Sequence, residues 1–370
     1  MPAAATSPDP SPADRIDRPS TVGPHRWTAV AAASVLVVII VALVVIPVPF
    51  VTWAPGRTVN LAGTTAQNRP IIQVQGLTSR RSKGEIRMTT VSVTKVDSHV
   101  GLAEALVAAW LPHRDALPRE AVYQPGRSSD QVKADEVQMM DTSQRDAVVA
   151  ALRAAGQPVT ELPMAAAVST SGPSYNVIQP GDLITKVDGT AVQSAADIQR
   201  AIRKHTVGDS VAITVLRNGT TRNLYVMTAS SSKDPKIPVI GISVGTGYRY
   251  TPTVTYNIPS DIVGPSAGLM MSLAIYQAIA PADLIGSLHV AGTGEIAPDG
   301  TVGAIGGIRE KVAGAQRDGS RIFLVPASNC RDLAGTSSTM TLVKVASLKE
   351  AISAIQKIRS GVDVKEVPHC

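Results

Sequence analysis

The sequence predicts a mixed α/β (α+β) protein in which two folded units stand behind one transmembrane helix. Three observations predict it. Trp27–Ile46 is a charge-free run of Val, Ala, Ile and Leu long enough to span a bilayer core. A β-rich stretch from about residue 162 carries a capping-box helix and an Asn218-Gly219 hairpin turn. From Ile237 onward, strands alternate with Gly-rich turns and helices, the pattern of a layered α/β or α+β domain. A chain of 370 residues has the length for two or three such units with real cores.

Residues 1–26, rich in Pro, Ala, Ser and Asp without periodicity, are expected to be a disordered tail. The apolar run 27–46 is followed by Pro47, Pro49 and Pro55 and by no clean small-x-small cleavage site. It therefore reads as a retained anchor rather than a cleaved signal peptide. Arg15, Arg18 and Arg26 precede the span and Arg57 alone follows it closely. That bias puts the tail in the cytoplasm and the carboxyl-terminal domains outside the cell membrane, as a single-pass protein.

Residues 57–83 are polar and read as an irregular connector. Ile86–Val93 alternates as a strand, and Leu102–Leu111 reads as a short helix stopped by Pro112. Gln131–Ala155 is a longer helix, with Val137, Met140, Val148, Ala151 and Leu152 on one side and Gly156 and Pro158 ending it. Strands follow at Leu183–Val187, Val211–Val215 and Leu224–Val226, with Ser194–Asp197 opening an amphipathic helix between them. Val239–Val244, Thr253–Ile258, Leu288–Gly292 and Ile322–Pro326 read as strands of the last block, with a helix from about Ile308. Residues 356–370 form a tail.

Composition excludes some classes. The net charge of +6 is scattered, with no basic run interleaved with aromatics, so nucleic acid is not an expected partner. Cys330 and Cys370 are the only cysteines. They allow one optional bridge and sit in no metal-ligand spacing, so neither a metal nor another cofactor is expected.

The chemistry gathers at Gly264-Pro265-Ser266-Ala267-Gly268, a turn that opens an apolar helix. Ser266 there is either an ordinary N-cap or a nucleophile whose neighbouring amides hold an oxyanion. A base is then required. His289 lies in an apolar strand and reads as a core or sheet-face residue. Lys311 follows Gly306-Gly307 on a helix and, if desolvated, can accept a proton near neutral pH; alone it would read as a surface lysine.

Gly264–Gly268, then Gly292-Thr293-Gly294-Glu295, Asp299-Gly300 and Gly306–Lys311, in that order, resemble the proteolytic domain of Lon proteases. The resemblance implies a Ser/Lys dyad, with Ser266 as nucleophile, Lys311 as general base and Thr293 orienting the lysine. Gly264, Pro265 and Ala267 would form the oxyanion turn. The chain departs from many Lon domains in having Val263 where an acidic residue precedes the Gly-Pro-Ser, and it has no Walker-type phosphate loop. Residues 162–230, with Pro180-Gly181-Asp182-Leu183-Ile184 and Val187-Asp188-Gly189, resemble a bacterial PDZ domain. PDZ domains bind extended peptides at a sheet edge. The carboxylate-binding loop is not obvious, and Ala165–Val168 is expected in its place.

Anchor, PDZ unit and ATPase-free Lon unit together resemble the YlbL-like proteins. Met140-Asp141-Thr142-Ser143 resembles a stretch of the first Lon helix. The resemblance thus implies that 57–158, a connector and then the first part of the Lon-type domain, joins 236–355 around the PDZ unit. The implied function is an ATP-independent serine endopeptidase acting on extracytoplasmic polypeptides recruited or gated by the PDZ unit, with homo-oligomerisation implied by resemblance alone. The alternative is a catalytically inactive, membrane-tethered peptide-binding adaptor.

Overall fold

The computed structural model describes residues 24–370; the expected tail, with Arg15 and Arg18, lies outside them except for its last residues, which a helix absorbs. Taken in chain order, that helix is α1 (Pro24–Val45), followed by β1 (Phe50–Asn60), β2 (Ile72–Gln75), β3 (Glu85–Val93), α2 (Leu102–Trp110), β4 (Asp115–Pro118) and α3 (Ser129–Ala154). Next come β5 (Thr160–Val168), β6 (Leu183–Val187), α4 (Ala195–Ile202), β7 (Ser210–Arg217), β8 (Thr220–Met227) and β9 (Ile242–Arg249). The chain closes with β10 (Thr253–Tyr256), α5 (Gly268–Ile279), β11 (His289–Gly292), α6 (Ile308–Arg317), β12 (Ile322–Pro326), β13 (Thr341–Val345) and α7 (Leu348–Arg359). Residues Arg26–Val45 of α1 have a mean hydropathy of 3.0 and none of them is buried, so this helix is long and apolar enough to cross a membrane.

A six-stranded sheet in the order β13-β12-β11-β3-β1-β4 organises the region around Ser266. β13, β12, β11 and β3 run parallel to their neighbours, and β1 and β4 close one side antiparallel. Successive residues of a strand face opposite sides. Val290 and Leu324 therefore join the core shared with α3, α5 and α7, while Ala291 and Phe323 pack with Ile308 and Val312 of α6 on the other face. Burial of apolar surface on both faces explains why β11 and β12 read as continuous apolar runs.

A separate sheet, in the order β8-β7-β6-β5-β9, takes its strands from the sequence between β4 and β11 and has its own core around Ile184, Ile198, Val211 and Ile213. The capping box at Ser194 is present: its hydroxyl accepts from the Asp197 N–H, and the Asp197 carboxylate accepts from the Ser194 N–H.

Four expectations are corrected. Residues 356–370 are not a tail: α7 runs through Arg359, Val367 is buried and Cys370 is bonded to Cys330. Residues 57–83 are not an irregular connector. β1 runs through Asn60, β2 pairs with β10, and Leu61, Ile71 and Val74 are buried. Pro55-Gly56 hides β1 from pattern reading because the β1–β3 register shifts between Pro55 and Thr58, a bulge that breaks the alternation. The expected strand 239–244 is interrupted at Gly241, whose φ of +74° is the left-handed region. Ala165–Val168 is no loop: it lies in β5, paired along β9, and β9 extends this sheet to Arg249, beyond the expected limit at 230 and inside the block expected to begin at 236.

The expected strands and helices at 86–93, 102–111, 131–155, 322–326 and from 308 are present within a few residues of their predicted bounds. Cys330 and Cys370 are joined in a disulfide.

Candidate active site

α5 is an apolar helix buried along most of its length, and its N-cap is Ala267 with no side-chain cap. Ser266 thus sits one residue outside the cap, and its hydroxyl does not perform the capping role that a serine here would ordinarily have. The turn is pinned from two sides. The Ser266 carbonyl accepts from the Gly294 N–H at 2.8 Å and from the Thr293 Oγ1 hydroxyl at 2.9 Å. Ser143 Oγ of α3 donates to the Pro265 carbonyl at 2.9 Å. This crowding is why position 268 is glycine: a Cβ there would stand 2.7 Å from Ile296 Cγ2 and 2.8 Å from Ser143 Oγ.

α6 begins at Gly307, whose φ of +68° is left-handed. A Cβ there would lie 2.6 Å from Val91 Cγ1 and 2.8 Å from the Trp53 ring, so glycine lets the helix start against β3 and β1. Three residues into α6, Lys311 is 2 % exposed and donates from Nζ to Thr293 Oγ1 at 3.2 Å. Burial pulls its ammonium down to about 7, against the opposing pull of the Glu295 and Glu310 carboxylates. Thr293 therefore bridges Lys311 and the Ser266 backbone: its oxygen accepts from the lysine while its proton goes to the Ser266 carbonyl.

Ser266, Ala267, Gly264 and Lys311 line a common cleft of about 780 Å³, with Thr89–Val93 of β3 and Glu136 and Met140 of α3 along its walls. Among the described residues no hydrogen bond joins Ser266 Oγ to Lys311 Nζ. β11 pairs with β3 as far as Met88 and Thr89 Oγ1 still donates to the Gly292 carbonyl at 3.0 Å, which leaves the β11 side of Thr90–Val93 open to the cleft.

Within the Lon protease (S16) C-terminal proteolytic domain family, the family model matches residues 255–357, a span that includes Ser266, Thr293 and Lys311. These residues are a Lon-type proteolytic domain. The PDZ domain model matches residues 137–228, starting inside α3 and stopping short of β9. Over 107 residues the chain is 40% identical to Lon protease 1 of Sorangium cellulosum, which covers 28% of this chain and 13% of that protein. Over 95 residues it is 39% identical to a Lon protease of Roseiflexus castenholzii, covering 25% and 12% respectively. The chain thus spans only about an eighth of the length of these relatives. The PDZ domain of an SdrC-like protein from Listeria monocytogenes is 28% identical, covering 22% of this chain and 86% of that one, at a TM-score of 0.21.

Within this Lon-type domain the expected oxyanion set is brought together unevenly. The Gly264 N–H is already taken by the Glu136 carbonyl at 3.1 Å, and Pro265 has no N–H to offer. Among the described residues, the N–H groups of Ser266 and Ala267 are the ones in the turn without an acceptor. His289 is half-exposed at a strand end, with Nδ1 3.5 Å from the Glu85 carboxylate, and does not line the cleft.

Glu310 lies within the Gly306–Lys311 segment, and sequence reasoning assigns it no role of its own. It is 1 % exposed, and among the described residues neither carboxylate oxygen has a hydrogen-bond partner. Burial, with the nearby Asp115 carboxyl adding to it, pushes its acid up. Glu310 lies on the side of α6 away from Ile308, Val312 and Ala315, so periodicity alone gives no signal that it is buried.

Proposed function

We propose that this chain is an ATP-independent serine endopeptidase with a Ser266/Lys311 dyad. The observation that carries the reading is the buried Lys311 amine, poised near neutrality and tied through Thr293 to the backbone of Ser266. Neutral Lys311 takes the Ser266 proton as Oγ attacks the scissile carbonyl, then returns it to the leaving amine; water repeats the cycle on the acyl-enzyme. The Ser266 and Ala267 N–H groups hold the oxyanion. An extended polypeptide pairs with the open edge of β3 at Thr90–Val93, which runs along the cleft wall.

The proteolytic unit, on this reading, comprises the central sheet with α3, α5, α6 and α7, and the sheet β5–β9 is the PDZ unit set within its sequence. That unit recruits or gates polypeptides at the edge strand β9, which leads through β10 into the Ser266 turn. α1 anchors the chain in the cell membrane, with the domains that follow it extracytoplasmic and the amino-terminal side, with Arg15, Arg18 and Arg26, in the cytoplasm.

The test is cleavage of casein without ATP by the full chain in detergent, beside Ser266→Ala and Lys311→Ala. The full chain is used because β1 starts at Phe50, so a fragment from residue 57 would lose most of that strand. Cleavage by the parent alone is expected. Equal cleavage by Ser266→Ala would refute the mechanism. An inert parent that a serine-reactive fluorophosphonate also fails to label would favour the inactive adaptor.

A further inference from the structure

Outside α1, four exposed large hydrophobics gather on α2 and the residue after it, Leu106, Val107, Trp110 and Leu111, with Trp110 93 % exposed, while the others, such as Val137, Met139, Tyr225 and Met227, lie in ones and twos on other elements. The helix is nine residues of Leu, Ala, Val and Trp with one charge. That charge, Glu104, accepts from Thr52 Oγ1 of β1 at 3.3 Å, and the buried Ala105 and Ala108 set the inner side of the helix. Leu102, Leu106 and Trp110 recur at the i, i+4 spacing that stacks side chains on one stripe, and Ala103 and Val107 widen it. The stripe carries no polar residue.

Its position relative to α1 gives it meaning. Pro47–Val48, immediately after α1, pair antiparallel with Val100–Gly101, immediately before α2. Gly101 comes so close that a Cβ there would stand 2.6 Å from the Val44 carbonyl oxygen. α2 is therefore stapled to the carboxyl end of α1. The 22 residues of α1 rise about 33 Å, close to the ~30 Å hydrocarbon thickness of a bilayer. The start of α2 is thus held where the chain leaves the hydrocarbon, the level at which tryptophan and short apolar helix faces settle. Exposed His113 and Arg114 follow directly, at the place where headgroups would meet them.

We propose that the Leu106–Trp110 face of α2 inserts into the interface of the same bilayer that α1 spans, fixing the orientation of the central sheet relative to the membrane. The occupant of this face is lipid rather than a second copy. The staple brings it to the exit of an apolar span, and a water-facing stripe without one polar residue has no other neighbour along the chain. The inference rests on the membrane-spanning reading of α1.

The experiment places a nitroxide label on the full chain in phosphatidylcholine vesicles, using Trp110→Cys, Leu106→Cys and Tyr225→Cys one at a time. Cys330 and Cys370 are paired and leave the introduced thiol as the reactive one. Tyr225 is exposed on β8 and serves as the aqueous reference. Collision with oxygen, which concentrates in lipid, is compared with collision with a water-soluble nickel chelate. At positions 110 and 106 the oxygen-to-nickel ratio is expected to exceed that at 225 several-fold. A ratio at both positions equal to that at 225 would overturn the proposal, as would exclusion of both reagents, the signature of a protein contact. Alkaline carbonate extraction separates the two readings. Release of the chain from the vesicles overturns the reading of α1 and this one with it, whereas retention with a watery label at 110 and 106 overturns this one alone.

Discussion

Asp182 and Lys311 are buried to the same degree, at 1 % and 2 % exposure, and the chain treats their charges in opposite ways. In the sheet β5–β9, the Asp182 carboxylate accepts from Arg217 Nε at 2.7 Å and Nη2 at 2.6 Å, and from the Gln179 N–H at 2.9 Å. Arg217 Nη2 also donates to the Val177 carbonyl at 2.9 Å. Beside the central sheet, the Lys311 ammonium meets a hydroxyl instead of a carboxylate, and buried Glu310 next to it is bonded to nothing among the described residues. A bidentate pair keeps both charges in the dry interior, whereas burial without a partner drives a group towards its neutral form. The first arrangement holds a fold together; the second leaves an amine close to its neutral form.

The largest effects should separate the two regions. Lys311→Met is expected to lower kcat/KM on casein by at least about 10³-fold, the scale seen when one member of a catalytic unit is lost. Its urea midpoint should stay level or rise, because a buried amine is replaced by an apolar chain. Asp182→Ala is expected to cost about 3–5 kcal/mol in urea unfolding by stranding the Arg217 charge. Fluorophosphonate labelling of Ser266 in the molecules that remain folded should be unchanged. Equal destabilisation by the two substitutions would make Lys311 a structural cation and erase the contrast.

The pH profile sharpens the same contrast. Below its pKa Lys311 carries the proton that it must be free to accept, so kcat/KM should climb about tenfold per unit as pH rises and level off above about 7. A limb near the ordinary lysine range instead would mean that the amine is hydrated in solution. Thr293→Val keeps the volume but removes both the acceptor for Nζ and the donor to the Ser266 carbonyl. It should reduce kcat by about 10²-fold through misplacement, with Thr293→Ser recovering most of it.

The residues of the proposed dyad, and Thr293 with them, are legible because each sits in a local pattern. Ser266 lies in a Gly/Pro turn before an apolar helix, Lys311 follows two glycines, and Thr293 ends a strand between glycines. The capping box at Ser194 and the Asn218-Gly219 hairpin were legible for the same reason. What escaped was decided by pairing over distance. β9 joins β5 some eighty residues back along the chain, and no short window records which strand it will lie beside. β1 is broken by a bulge at a Pro-Gly pair, so its alternation vanishes exactly where it turns into the site. The Gly264 N–H looked free as an oxyanion donor until α3 brought the Glu136 carbonyl to it.

The smallest effect tests the acids around the lysine. Ionised Glu295 and Glu310 both hold the Lys311 proton on, Glu295 the more strongly. Glu310→Gln removes one of these influences without changing shape, so the acidic limb of kcat/KM should move to lower pH while the plateau above it is unchanged. Glu295→Gln should move the limb further in the same direction. Burial and the Asp115 carboxyl push the Glu310 acid up, and its hold on the Lys311 proton is the weaker of the two, so its substitution shifts the profile less. A limb that moved up, or a plateau that fell, would mean that Glu310 acts on the nucleophile turn or on α6 packing. The unpaired acid beside the unpaired base would then be there for structure, as the paired charges of Asp182 and Arg217 are.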